Sequence, residues 1–171
     1  MGARTQAEEV IRRLPEGLIF GAEIGVFAGK MSKRLLDRRN LVLYMVDNWK
    51  ALPRYGVTQE MQDENRAKAR EVANGGGWIL HMDSVEAAGY VANGALDFVF
   101  IDADHSYEGV KRDITAWLPK LKMGGLMSGH DYANPGEPCG MEVKKAVDEW
   151  AASYGVQIDL GKDSTWFARL P

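Results

Sequence analysis

Two short polar clusters in this sequence carry the residue types that could do chemistry. The first is Ile101-Asp102-Ala103-Asp104-His105-Ser106-Tyr107, and the second is Gly129-His130-Asp131-Tyr132. Each follows an apolar run of strand character, and open parallel sheets bind their ligands at the carboxyl ends of strands. Neighbouring strands lie about 5 Å apart, so consecutive strands would bring the clusters together. Asp102, His130 and Asp131 are then candidates to share one divalent cation, and a mainly oxygen donor set suits magnesium, manganese or calcium. Such an ion chelates a substrate hydroxyl and lowers its pKa. His105, three residues beyond Asp102, is the candidate general base. The competing reading makes these residues helix caps and strand-end partners; two clusters on consecutive strands favour chemistry.

A third segment, Ala22-Glu23-Ile24-Gly25-Val26-Phe27-Ala28-Gly29, lies where a first strand turns into a helix. Glycine there permits close approach to a ligand and unusual dihedrals. The spacing is Glu-x-Gly-x-x-x-Gly rather than the Gly-x-Gly-x-x-Gly of dinucleotide enzymes, and alone it also fits a plain tight turn. Asp47 adds to it. This acid ends the second strand about 20 residues later, where a carboxylate can hydrogen-bond the hydroxyls of a ribose. Trp49, after Asn48, either packs near an adenine or belongs to the core. In Met82-Asp83-Ser84, Asp83 either accepts from the exocyclic amine of an adenine or caps the helix that begins at Ser84. Together these residues point to an adenosine-containing cofactor.

The elements that must position these groups alternate between short apolar runs and amphipathic stretches, the pattern of an α/β parallel sheet. Strands are expected at 18–24, 41–46, 78–81, 96–101 and 125–128. Helices are expected at 6–14, 30–39, 59–72 (with a weak apolar stripe) and along Val110, Ile114, Trp117, Leu118 and Leu121. That last helix would be capped by Ser106 and stopped by Gly124-Gly125. A further helix places Val143, Ala146, Val147, Trp150, Ala151 and Tyr154 on one face, and the tail reads as a hairpin of 156–160 with 165–170.

The 171 residues suit one domain able to bury a full core. A formal net charge of −3 argues against a general grip on nucleic acid. The single cysteine, Cys139, excludes an internal disulfide and fits a reducing, cytoplasmic setting. No apolar run approaches the ~20 residues that span a bilayer, and charges occupy the N-terminus where an export signal needs an apolar core.

The run DFVFIDADHSYEGVKRDITAWLPKLKMGGLMSGHDY, with AEIGVFAGKMSKRLL, VDNW and GMEVKKAVDEW, resembles the class I S-adenosylmethionine-dependent methyltransferases. Within that class it resembles the branch of macrocin-type and mycinamicin-type macrolide O-methyltransferases and cephalosporin-hydroxylase-like proteins. The resemblance implies a Rossmann-like α/β fold, with a seven-stranded, mostly parallel sheet of order 3-2-1-4-5-7-6 and helices on both faces. It implies a cofactor held by Glu23, Gly25, Phe27, Gly29, Asp47, Asn48, Trp49, Asp83, Ser84 and Asp102. It matches Asp102 and Asp131 to metal-ligand positions and His105 to the base. Macrolide-type relatives carry an acid where this chain has His130. Few residues precede the first strand, so segment 50–74 and the loop 133–141 are the candidates for a substrate lid or an oligomer contact.

The function expected is methylation of a small-molecule hydroxyl, such as that of a sugar or polyketide, with magnesium or manganese. A nicotinamide-dependent oxidoreductase and a catalytically silent binding module are the alternatives.

Overall fold

The computed structural model describes residues 2–136 and 139–171, with side chains from Thr5 onward. Its strands are β1 (Ile19–Ile24), β2 (Leu41–Asp47), β3 (Gly77–His81), β4 (Leu96–Ile101), β5 (Leu121–Gly129), β6 (Asp159–Leu160) and β7 (Trp166–Arg169). Its helices are α1 (Gly2–Ile11), α2 (Lys30–Leu36), α3 (Gln59–Ala73), α4 (Ser84–Ala88), α5 (Tyr107–Trp117) and α6 (Gly140–Tyr154). One seven-stranded sheet runs β3-β2-β1-β4-β5-β7-β6. Strands β1 to β5 are parallel, and β7 runs antiparallel to β5 and β6. The order expected from the resemblance is the order found.

The central strand β4 shows why the sheet needs cover on both faces. Val99 and Ile101 pack into one core with residues of α4, α5 and α6, while Phe98 and Phe100 pack into the other with residues of α1, α2 and α3. Side chains alternate across a strand, so an unbroken apolar run must be buried twice. Helix α5 starts where expected, with the Ser106 hydroxyl accepting from the Gly109 amide at 3.1 Å. It stops earlier than expected. Pro119 removes an amide donor just beyond Trp117, and the chain tightens into a 3-10 turn over Leu118–Lys120. Gly124 and Gly125 therefore lie inside β5 rather than ending the helix.

The weak apolar stripe of α3 also has a physical reason. Its buried face carries Gln62 and Asn65 beside Ala69. Gln62 donates to the Lys50 carbonyl at 2.9 Å, and Asn65 donates to Gln62 at 3.3 Å. This face buries amides that satisfy one another and the loop beneath, so hydrophobic periodicity under-reports it.

Candidate active site

The carboxyl ends of β1 to β4 open on one cavity of about 530 Å³, within the range of small-molecule sites. Gly25 makes the cleft possible. Its φ of +92° is left-handed, and a Cβ there would lie 2.0 Å from the Asp102 backbone oxygen. The turn after β1 thus lies directly against the turn after β4, and the Asp102 amide donates to the Ile24 carbonyl at 2.7 Å.

Asp47 lines the cavity and also builds its floor. One carboxyl oxygen accepts from the amides of Val26 at 3.0 Å and Phe27 at 2.8 Å, and the other accepts from Trp49 at 2.7 Å. Phe27 and Trp49 both sit at positive φ, 51° and 43°, where a bulky residue is strained. The carboxylate holds both turns in place. Trp49 Nε1 completes the clamp by donating to the Phe27 carbonyl at 2.8 Å. Trp49 is only 1% exposed and packs in the core rather than on the cavity wall. The Phe27 ring is 44% exposed and faces the cavity, as does Asn48.

Glu23 does not line the cavity either. It is buried behind it, accepts from the Ser32 hydroxyl at 2.5 Å, and burial pushes its carboxyl up to about 8. Gly29 caps α2 at φ 71° and packs against Ala69 of α3, again away from the cavity. Asp83 takes the cap position and also borders the cavity. Its carboxylate accepts from the Val85 amide at 2.9 Å as the cap of α4, and with Ser84 it lines the cavity.

The two polar clusters do converge. His105 Nε2 lies 3.3 Å from Asp102 Oδ1, and His105 Nδ1 lies 3.2 Å from Asp131 Oδ2. Among the described residues, Asp102, His105 and Asp131 offer three ligand atoms within 4.8 Å of one another. His130 lies beside this group, its Nδ1 3.1 Å from Asp131 Oδ1 and 3.7 Å from Asp102 Oδ1. Both histidines therefore lie against the two acids, His105 on the cavity side and His130 behind it. Burial alone would raise the Asp102 carboxyl, but hydrogen bonds from His105 and His130 bring it below the usual range. Burial likewise opposes charge on His130, yet its bonds to Asp102 and Asp131 raise it to about 10. Asp102 and His105 face the cavity, whereas His130 and Asp131 stand behind them. Asp131 is held at φ 58° and accepts from Asn134 at 2.5 Å.

Several residues of the site escaped the sequence reading. Ala51, Leu52, Pro53, Arg54 and Tyr55 form a tight turn over the cavity, closed by a bridge between Leu52 and Val57. This turn lies within the segment expected as a lid. In the other candidate loop Cys139 reaches the cavity wall, and Glu137 and Pro138 lie outside the described residues. Arg112 and Asp113 of α5 also line the cavity. Asp113 had a readable signal, since it is an acid on the helical face of Val110, Ile114 and Trp117.

A sheet of this order, with cofactor-type turns after β1 and β2 and an acid-histidine cluster after β4, is the architecture of the class I methyltransferases. The chain belongs to the methyltransferase-domain family, whose pattern matches residues 22–132. Solved structures of the same fold include the O-methyltransferase NovP, at 20% identity and a TM-score of 0.66 over 98% of this chain and 77% of that one. An O-methyltransferase from Bacillus cereus, solved with S-adenosylhomocysteine, is 17% identical, with a TM-score of 0.66 over 99% and 80% of the two chains. TomG from Streptomyces achromogenes, an O-methyltransferase of tomaymycin synthesis solved with S-adenosylmethionine, is 14% identical, with a TM-score of 0.65 over 98% and 78%. No curated protein matches the chain. No described helix is long and apolar enough to cross a membrane.

Proposed function

We propose that this protein transfers the methyl group of S-adenosylmethionine to a hydroxyl of a small molecule, with His105 as general base and a divalent cation assisting. The observation that carries this reading is the position of His105, on the cavity wall and held between Asp102 and Asp131. Asp131 beside Nδ1 orients the imidazole, and Nε2, on the Asp102 side, is the nitrogen that would take the hydroxyl proton, which requires Asp102 to release it. The O-methyltransferases among the structures of this fold support the same acceptor chemistry.

Asp47 and Asn48 take the cofactor's ribose, Asp83 and Ser84 face its base, and Gly25 and Phe27 border the methionine side. Methyl transfer requires the acceptor oxygen to approach in line with the sulfonium methyl, so positioning supplies much of the rate. Asp102 and Asp131 would hold magnesium or manganese, with His130 Nδ1 within 3.7 Å of both acids, and His105 is kept for the proton. When bound, such an ion supplies Lewis-acid polarisation of the acceptor hydroxyl. The protein's own groups orient that hydroxyl and receive its proton at a His105 nitrogen.

The test is methyl transfer from S-adenosylmethionine to a panel of hydroxylated sugars, polyketides and phenols, run with manganese, magnesium or a chelator. Methylation of an oxygen that falls with chelator and returns with metal is the expected result. Transfer indifferent to chelator would remove the metal from this reading, and tight nicotinamide-dinucleotide binding with no affinity for S-adenosylmethionine would overturn it.

A further inference from the structure

The cavity wall beside Asp83 and Ser84 holds an arrangement the methyl-transfer reading leaves unused. Arg112, on α5, lines the cavity with its side chain half exposed. Its Nη2 lies 3.7 Å from Asp83 Oδ2, and its Nε lies 3.8 Å from Asp113 Oδ1. The guanidinium is thus flanked on two edges by acids that come from different elements. Asp83 ends the turn after β3, whereas Asp113 is fully buried one residue along the helix.

The two acids differ in what else they do. Asp83 is already engaged as the cap of α4. Asp113 has no well-formed hydrogen bond at either oxygen. Burial raises its carboxyl to about 6, with the Ser84 hydroxyl and Arg112 drawing it back. A buried acid without a firm partner is costly, so the Arg112 charge beside it is retained there.

Its edges are turned to the two acids, and the planar, weakly hydrated faces of a guanidinium cation stack on aromatic rings. Resting on the cofactor reading above, we propose that Arg112 is the stacking platform for the adenine ring of the cofactor, with Asp83 and Asp113 setting its plane. Arg112 then contributes to recognition of the base and takes no part in the chemical step.

The test is calorimetric titration of the whole chain with S-adenosylhomocysteine and with 5′-methylthioadenosine, which keeps the base and ribose but lacks the amino-acid end. Arg112→Lys keeps the charge and removes the plane. The expected result is a loss of roughly tenfold for both ligands, the scale of one cation–π contact. Arg112 is half exposed, so an unchanged melting temperature should accompany that loss. Affinity within twofold of wild type for both ligands would overturn the proposal. A loss confined to S-adenosylhomocysteine would also overturn it, because Arg112 would then be holding the amino-acid carboxylate. Wild-type protein that binds neither ligand would overturn the cofactor reading and this proposal with it.

Discussion

The Phe27 amide donates to Asp47 Oδ2 at 2.8 Å, and this bond holds a bulky residue at a φ of +51°. Asp47 is therefore a scaffold for the turn as well as a wall of the cavity. Asp47→Ala leaves three backbone amides without their carboxylate and frees two strained turns. Its expected cost is about 2–4 kcal/mol of folding stability, read by urea denaturation. Loss of cofactor affinity with unchanged stability would show that the ribose alone explains this acid.

His105 should behave differently from Asp47, because it faces the cavity but caps no strained turn. His105→Ala is expected to lower turnover by about 10²- to 10⁴-fold. Binding of S-adenosylhomocysteine should change little, since the residues assigned to the ribose and base stand on other turns. Turnover equal to wild type would remove His105 as the base.

Burial gives Glu23 a pH signature. In the folded chain its proton is held up to about pH 8, whereas the unfolded chain loses it near the ordinary 4.5. Between those values the folded state carries the extra proton, so stability is greatest below the window and falls as pH rises through it. The slope reaches about 1.4 kcal/mol per pH unit. Glu23→Gln removes the titration and keeps an acceptor for Ser32. Its stability relative to wild type should grow between pH 5 and pH 8 in denaturant titrations. A constant difference would show that Glu23 is ionised in the folded protein.

Gly25→Ala tests the contact between the two turns. The added Cβ meets the Asp102 carbonyl at 2.0 Å, in a conformation unfavourable to any L side chain. Backbone must shift, at a cost of about 3 kcal/mol or more. A destabilisation under about 1 kcal/mol, measured by thermal melting, would mean the two turns can separate without penalty.

The strands were legible because buried parallel strands read as nearly continuous apolar runs, whereas their order came from the family resemblance, since strand spacing alone does not encode order. The convergence of Asp102, His105 and Asp131 was legible because polar residues stand where the apolar runs of two neighbouring strands stop. His130, next to Asp131 in sequence, also reaches both acids, but from behind the cavity wall, and residue spacing does not encode that side. Glu23 and Trp49 sit within motifs that face a ligand, yet both side chains point into protein, an orientation that residue spacing alone does not encode. Arg112 joins the site only through tertiary contact, whereas the turn of Leu52–Tyr55 falls within the segment expected as a lid.

That turn over the cavity has a practical consequence. The Leu52 amide donates to the Val57 carbonyl at 2.9 Å and the Val57 amide returns the bond at 3.1 Å, so the segment closes on itself and adds no strand to the sheet. A piece of chain tied off at its own base can be exchanged as a cassette. Grafting alternative sequences between Leu52 and Val57 would vary the surface this turn gives to the cavity while leaving the sheet as it is.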